Sequence, residues 1–306
     1  MILTENIRIS RIVTGTWKNM FFSGLTCFIA FCINELWLSN FFSFPVFVPT
    51  ILGTALAFFI GFNNNQAYDR WWEARKIWGA IVNNSRTWTR QVIYYIHVPD
   101  TNLEYEYEAE KKKEQLAKRH IAFLYALKNN LRDSDHENWT SYLTREEIQK
   151  VSEQTNKPNA ILSLQTEDLE WLYRHQFING FRFIEINKIL TSFCDDMGKS
   201  ERIKNTIFPT TYNYYSRNFI WIFIYCTTIA MSHSTGIWSI ILGSLLGYVF
   251  FTIQEIGQIL LNPFEAIPTG IPLDQITRTI EINILEMLGE KDIPLPVQSI
   301  DGEYIM

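Results

Sequence analysis

Pro49-Thr-Ile-Leu-Gly-Thr-Ala-Leu-Ala-Phe-Phe-Ile-Gly-Phe62 is the stretch on which the fold turns. It carries no charge, and Gly53, Ala57 and Gly61 recur every fourth residue, which stacks small side chains in one row of a helix. Such rows let membrane helices approach closely. The adjacent row, about 100° away around the helix, is Thr54, Phe58 and Phe62. Beyond Phe62 comes the amide run Asn63-Asn64-Asn65-Gln66. A small row that packs and an aromatic row beside it suit a helix lining a pore, with Asn63, Asn64 and Gln66 rehydrating an ion at the exit. The same periodicity also fits a close-packed helix whose phenylalanines fill a core, and spacing alone does not separate the two.

Outward from this stretch, charge is depleted far below the average of the 306-residue chain, which is 19% charged. Between Lys18 and Arg70 lie 51 residues without Lys or Arg, and from Asn218 to Gln254 there are 37 residues with no charged side chain. The whole is therefore a mixture of membrane-grade segments and a charged remainder. Four spans are expected, at 20–38, 46–64, 218–233 and 236–254, paired as two hairpins by LSNFFSFP and SHSTG. The third barely reaches the length of about 17 residues needed to cross a bilayer. All 27 Lys and Arg fall in 1–18, 70–217 and 278–306. By the positive-inside rule both termini and the central region are cytoplasmic, giving a multi-pass protein of the cell's inner membrane with cytosolic parts at 1–18, 65–217 and 255–306. The first 18 residues are polar and lack an AxA-type cleavage signal, so the first apolar run is expected to be retained as a span.

The central region reads as helical. Thr144-Arg-Glu-Glu147 is a capping-box pattern. Leu116, His120, Leu124, Leu127 and Leu131 share one helical face. Leu169, Leu172, Phe177, Phe181, Ile184 and Ile189 predict one long amphipathic helix, which Gly198 should end. After the last span, Ile276, Ile280, Ile284 and Leu288 keep an i+4 register within Asp274–Leu288. No strand pattern or internal repeat is visible. The expected fold class is all-α: four transmembrane helices plus a large helical cytosolic region, one unit across 1–306.

Several functions are disfavoured. A net charge of −5 argues against nucleic acid as a partner. Cys27, Cys32, Cys194 and Cys226 show no CxxC spacing, so free buried thiols are expected. His97, His120, His136 and His175 have no metal-ligand spacing, and neither a phosphate-binding GxxxxGK[ST] nor a GxSxG occurs, so no catalytic residue, metal or cofactor is indicated. A transporter would carry ionisable residues or paired breaks inside its spans, which offer only Glu35 and, at the edge, Glu255. A scaffold binding partners through its helices remains an alternative but leaves the double row unexplained. Glu35 and His233 fall near outer span ends, where they line a vestibule or face water. In Asp69-Arg70-Trp71-Trp72-Glu73, a charged pore ring competes with Asp–Arg pairing and Trp anchoring at the interface.

Phe62-Asn-Asn-Asn-Gln-Ala-Tyr-Asp-Arg-Trp-Trp-Glu-Ala-Arg-Lys-Ile-Trp-Gly79 resembles the signature segment of the bestrophin family in its prokaryotic form. Asn262-Pro-Phe264, Ile271-Pro-Leu-Asp274 and the Gly198…Phe208-Pro209…Tyr212 stretch fit as well. The resemblance implies a homopentameric passive ion channel in membrane lipid, with one pore on the five-fold axis and a neck of three apolar residues at i, i+4 and i+8. Here those positions are Thr54, Phe58 and Phe62, and Thr54 departs from the apolar pattern. It implies a second, cytosolic constriction, placed at Phe181 or Ile184. Eukaryotic members pass chloride and other anions, while monovalent cations remain the alternative for a prokaryotic member. Their calcium clasp needs an acidic run after Asn-Pro-Phe; this chain has Glu265 alone, so gating by calcium is not expected.

Overall fold

The protein, a computed structural model, is described over residues 9–41, 43–97, 105–207, 209–300 and 302–305. Helices are the regular elements throughout these residues, and the one β-pairing is an isolated bridge between Ile300 and Tyr304. They form two compact units, one within 4–71 and 207–262, the other within 72–206 and 263–306.

The first unit holds α1 (Ile9–Leu36), the leading part of α2 (Phe47–Tyr95), α7 (Thr210–Thr235) and α8 (Trp238–Leu260). Its sharpest packing lies on α8. A Cβ at Gly243 would fall on the Thr228 hydroxyl and 2.9 Å from Cys27 Sγ. At Gly247 it would lie 2.5 Å from Ile224 Cδ1 and 2.9 Å from Ser23 Oγ. The absent side chains let α1 and α7 close onto α8, the device by which apolar helices gain contact where lipid is as apolar as leucine. Asn34 Nδ2 donates to Ser232 Oγ at 2.7 Å, a buried link between α1 and α7. Cys27, Leu56, Ile60, Ile220, Phe223, Ile224 and Phe251 form the core of this unit.

Three of the four expected spans fall in helices long and apolar enough to cross a membrane: Thr16–Asn40, Phe47–Tyr95 and Trp238–Leu260. The boundaries move. The helix of the second span does not stop at 64 but continues unbroken for 49 residues. The third span belongs to α7, whose 26 residues exceed the 16 expected, while its Tyr, Trp, Thr, Ser and His side chains lower its hydropathy. Most of the expected SHSTG connection is helical, and the turn narrows to Gly236 and Ile237, with Gly236 at φ +55° where a side chain would be strained.

The second unit is built around α3 (Glu106–Arg132), with α4 (Arg145–Ser152), α5 (Lys157–Arg174), α6 (Gly180–Asn205), α9 (Leu273–Leu288) and the trailing part of α2. The five α3 residues expected on one face are buried, but so are most of their neighbours, so this helix is surrounded and not merely amphipathic. The Thr144–Glu147 capping box forms as expected. Glu147 has a second role: Arg119 Nε donates to it at 2.6 Å while Arg119 Nη1 binds Asp168, tying α3 to α4 and α5 in a buried ionic cluster. His120 is fully buried, stacked on Phe193 at 4.3 Å between ring centroids, and burial pushes its pKa down to about 3.

The single long helix expected through 169–189 is two. α5 ends at Arg174, Gln176 takes a left-handed φ of +63°, and Asn179 caps α6 by accepting from Arg182 N at 2.9 Å. Gly198 does not terminate α6, which runs on to Asn205. The four cysteines are free, but only Cys27 is buried; Cys194, on α6, is exposed.

Candidate functional site

The site is a matter of two stripes on α2. Residues two apart on an α-helix differ by about 200° around the axis, so a stripe shifted by two positions faces the opposite way. Leu56, Ile60, Asn63 and Ala67 are buried against the rest of their unit. Phe58, Phe62, Asn65 and Asp69, each two further on, are exposed, Phe58 at 69% and Phe62 at 50%. The two rings touch edge to face with centroids 4.5 Å apart, filling one continuous apolar surface. Thr54, one turn before Phe58, is exposed and turns its hydroxyl back to Thr50 O at 2.9 Å, which satisfies the donor within the helix.

The small row divides. A Cβ on Gly53 would sit 2.8 Å from the Phe223 ring, so Gly53 serves contact with α7. Ala57 and Gly61 are exposed, and nothing lies within 4 Å of a Cβ built on Gly61. Close packing inside the subunit thus belongs chiefly to Gly243 and Gly247. Sequence reasoning passed over that pair, although its i, i+4 spacing matches that of Gly53 and Ala57.

The amide run fans out, because consecutive residues diverge by 100°. Asn63 and Asn64, expected at the exit of the aromatic row, turn elsewhere. Asn63 joins the buried stripe, and Asn64 Nδ2 donates to Ile253 O at 2.8 Å, where Gly257 brings α8 close. Gln66 is exposed, and Asn65, not selected from sequence, continues the aromatic stripe. Asn65 Nδ2 donates to Asp69 Oδ2 at 3.3 Å.

In the motif that follows, Tyr68 and Trp71 stack with centroids 6.2 Å apart. In the second unit, Glu73 pairs with Arg202 at 2.5 Å, a partner far away in sequence. There too, Phe181 and Ile184 stand on the first turns of α6 at 85% and 62% exposure, unlike Phe177, which is 1% exposed. Near the Asn262-Pro-Phe264 motif, Arg132 Nε donates to Phe264 O at 3.2 Å, and Lys128 and Arg132 both bind Asp274. Burial opposes ionisation of Asp274, but hydrogen bonds from those two cations hold its pKa below the usual carboxylate value. Glu265 is exposed, and no group of three or more metal-ligating side chains occurs among the described residues.

A family model described as Bacterial/Fungal Bestrophin protein matches residues 3–286. The voltage-dependent anion channel-forming protein alr2987 of Nostoc sp. is 29% identical over 241 residues, covering 78% of this chain and 76% of its own length. The protein of the same description, YneE, from Salmonella typhi is 30% identical over 246 residues, covering 80% and 77%. The crystal structure of a bacterial bestrophin homolog from Klebsiella pneumoniae shares the fold with a TM-score of 0.81 at 22% identity, over 90% of this chain and 98% of that one.

Proposed function

The chain belongs to the bacterial and fungal bestrophin family, and we propose that it is a passive anion channel whose path is lined by the outward stripe of α2. Family and relatives point to a channel and not an enzyme. One observation carries the assignment of the path. In a helix apolar enough to cross a membrane, Phe58 and Phe62 present an uncharged aromatic surface opposite to the stripe that packs. One such row cannot enclose a pore, so copies of α2 around a symmetry axis must do so, and a closed cyclic ring is the common solution. Five copies is the number the family resemblance implies.

In this reading Phe58 and Phe62 form the narrow apolar neck and Thr54 a wetter ring before it. Asn65 and Gln66 meet the ion beyond it, and Phe181 or Ile184 forms a second constriction. Ala57 and Gly61 serve contact between neighbouring copies. All four expected segments cross the inner membrane, α7 included, with both termini and the central helical region that carries most of the Lys and Arg cytoplasmic. The single carboxylate Glu265 does not meet calcium's need for six to eight oxygens, so micromolar calcium is expected to leave conductance unchanged.

The test is chloride flux from liposomes holding the purified protein, with the reversal potential recorded under a potassium chloride gradient. Flux above empty liposomes, with a reversal potential displaced toward chloride, is expected. No flux would end the channel reading, and a displacement toward potassium would overturn the anion assignment.

A further inference from the structure

We propose that Asp69 limits the anion preference of this channel, as a ring of carboxylates just past the neck that opposes anion entry. The inference rests on the assignment of the α2 stripe to the path. Asp69 follows Phe62 by seven residues, two helical turns, and so returns to the same face about 10 Å further along the axis. It is exposed, and it stands opposite the buried Ala67 in the same way as Phe62 stands opposite Ile60. Its hydrogen bond from Asn65 Nδ2 at 3.3 Å is neutral and lies within the stripe, so it orients the carboxylate without offsetting the charge. Glu73, the next acid in the chain, is engaged by Arg202, and the next charge in this register, Lys76, belongs to the other unit.

The physical consequence follows from symmetry. Whatever the number of copies, each places one carboxylate at the same level of the axis, and their potentials add there. Neighbouring phenylalanines supply no countercharge, and aromatic faces are themselves partially negative. The ring acts on a permeating anion over about one Debye length, about 8 Å at physiological salt. The ring lies on one side of the neck alone, so it makes the path asymmetric as well as less anion-selective. Anions entering from the Asp69 side are depleted at the mouth, and those from the Thr54 side meet the neck first.

Three variants in the full-length protein, reconstituted in planar bilayers, test this. Asp69→Asn keeps shape and removes charge, Asp69→Lys reverses it, and Phe58→Ala reports on the neck. Expected for Asp69→Asn is a rise of about fivefold in the chloride-to-potassium permeability ratio, from removal of several screened charges near the ion. Current rectification should weaken, and the shift should shrink at molar salt. Asp69→Lys should move the ratio further in the same direction, a graded response that damage to folding does not produce. Phe58→Ala should raise conductance. If Phe58→Ala raises conductance while both Asp69 variants leave the reversal potential unchanged, the role of Asp69 is overturned and the path assignment stands. If Phe58→Ala and the Asp69 variants all leave conductance and reversal potential unchanged, the assignment of the α2 stripe falls and Asp69 with it.

Discussion

His120 Nε2 meets Ser85 Oγ at 2.8 Å, and because that hydroxyl already donates to Ile81 O at 2.6 Å, it must accept from the imidazole. The proton is therefore on Nε2, and Nδ1 faces an apolar surround of Phe123, Phe193 and Trp88 with no partner. A second proton would place a buried charge there, which is why the pKa falls from an ordinary 6.5 to about 3. A depressed folded pKa means the unfolded chain binds the proton first. The contribution to stability is whole above about pH 6.5 and is lost as pH falls toward about 3, at up to about 1.4 kcal/mol per pH unit. Asp196, whose pKa burial raises, works in the opposite direction. The melting temperature of the detergent-solubilised protein is thus expected to drop between pH 7 and pH 5. In His120→Gln, which keeps a donor for Ser85, that pH dependence should be weaker; an identical slope would show that His120 is not its source. None of this was legible in the sequence, where His120 is one member of an apolar row and its burial depends on neighbours remote in the chain. The Asn63–Asn65 run was legible as an amide cluster. Which amide joins the aromatic stripe is set by helical phase against α8, and phase is lost when a run is read as a block.

At the scale of elements, α8 and α2 use small residues for different ends. Gly247 is enclosed by Ile224 and Ser23, so Gly247→Leu must displace α1 or α7, with overpacking expected to cost about 1–3 kcal/mol or more. Gly61 opens on empty space within its own subunit. Gly61→Leu is expected to leave each subunit folded but to weaken the oligomer, whereas Gly247→Leu should lower the yield of folded subunit itself. Size-exclusion profiles and yields of the two variants check this; loss of folded subunit in Gly61→Leu would place that glycine in the subunit's core. The spacing of small residues was readable in both helices, but the surface each row meets was not. Between α5 and α6 the failure was of another kind. Apolar spacing continues through Phe177 and Phe181 as though one helix carried both, yet one is buried and the other exposed. Asn179 followed by Gly180 held the usable signal, since Asn is a strong N-cap and here caps α6. Gly198 misled because a glycine in mid-helix costs only about 1 kcal/mol, which tertiary packing absorbs.

For the whole molecule, charge segregation was the clearest feature of the sequence, because removing charges from lipid is a demand on composition and needs no knowledge of contacts. The membership of the two units was far less visible, since each is assembled from segments that the other unit's residues separate in the chain. The ring of copies can be checked directly. The mass of the purified protein in detergent is expected to correspond to five chains of 36.0 kDa, and a stable monomer or dimer would remove the ring on which the pore depends. The assembly of the first unit from two distant segments has a consequence for biogenesis. About 200 residues separate the end of α1 from the start of α8. At a synthesis rate of roughly 5–20 residues per second, α1 waits about 10–40 s in the bilayer before its glycine-bearing partner leaves the ribosome. Through that interval the Asn34 amide has no Ser232 and Ser23 no Gly247 to close against. The early hairpin is an orphan in lipid, and a message truncated before Thr210 would leave it so, exposing to membrane proteases and chaperones the polar groups that the finished subunit hides.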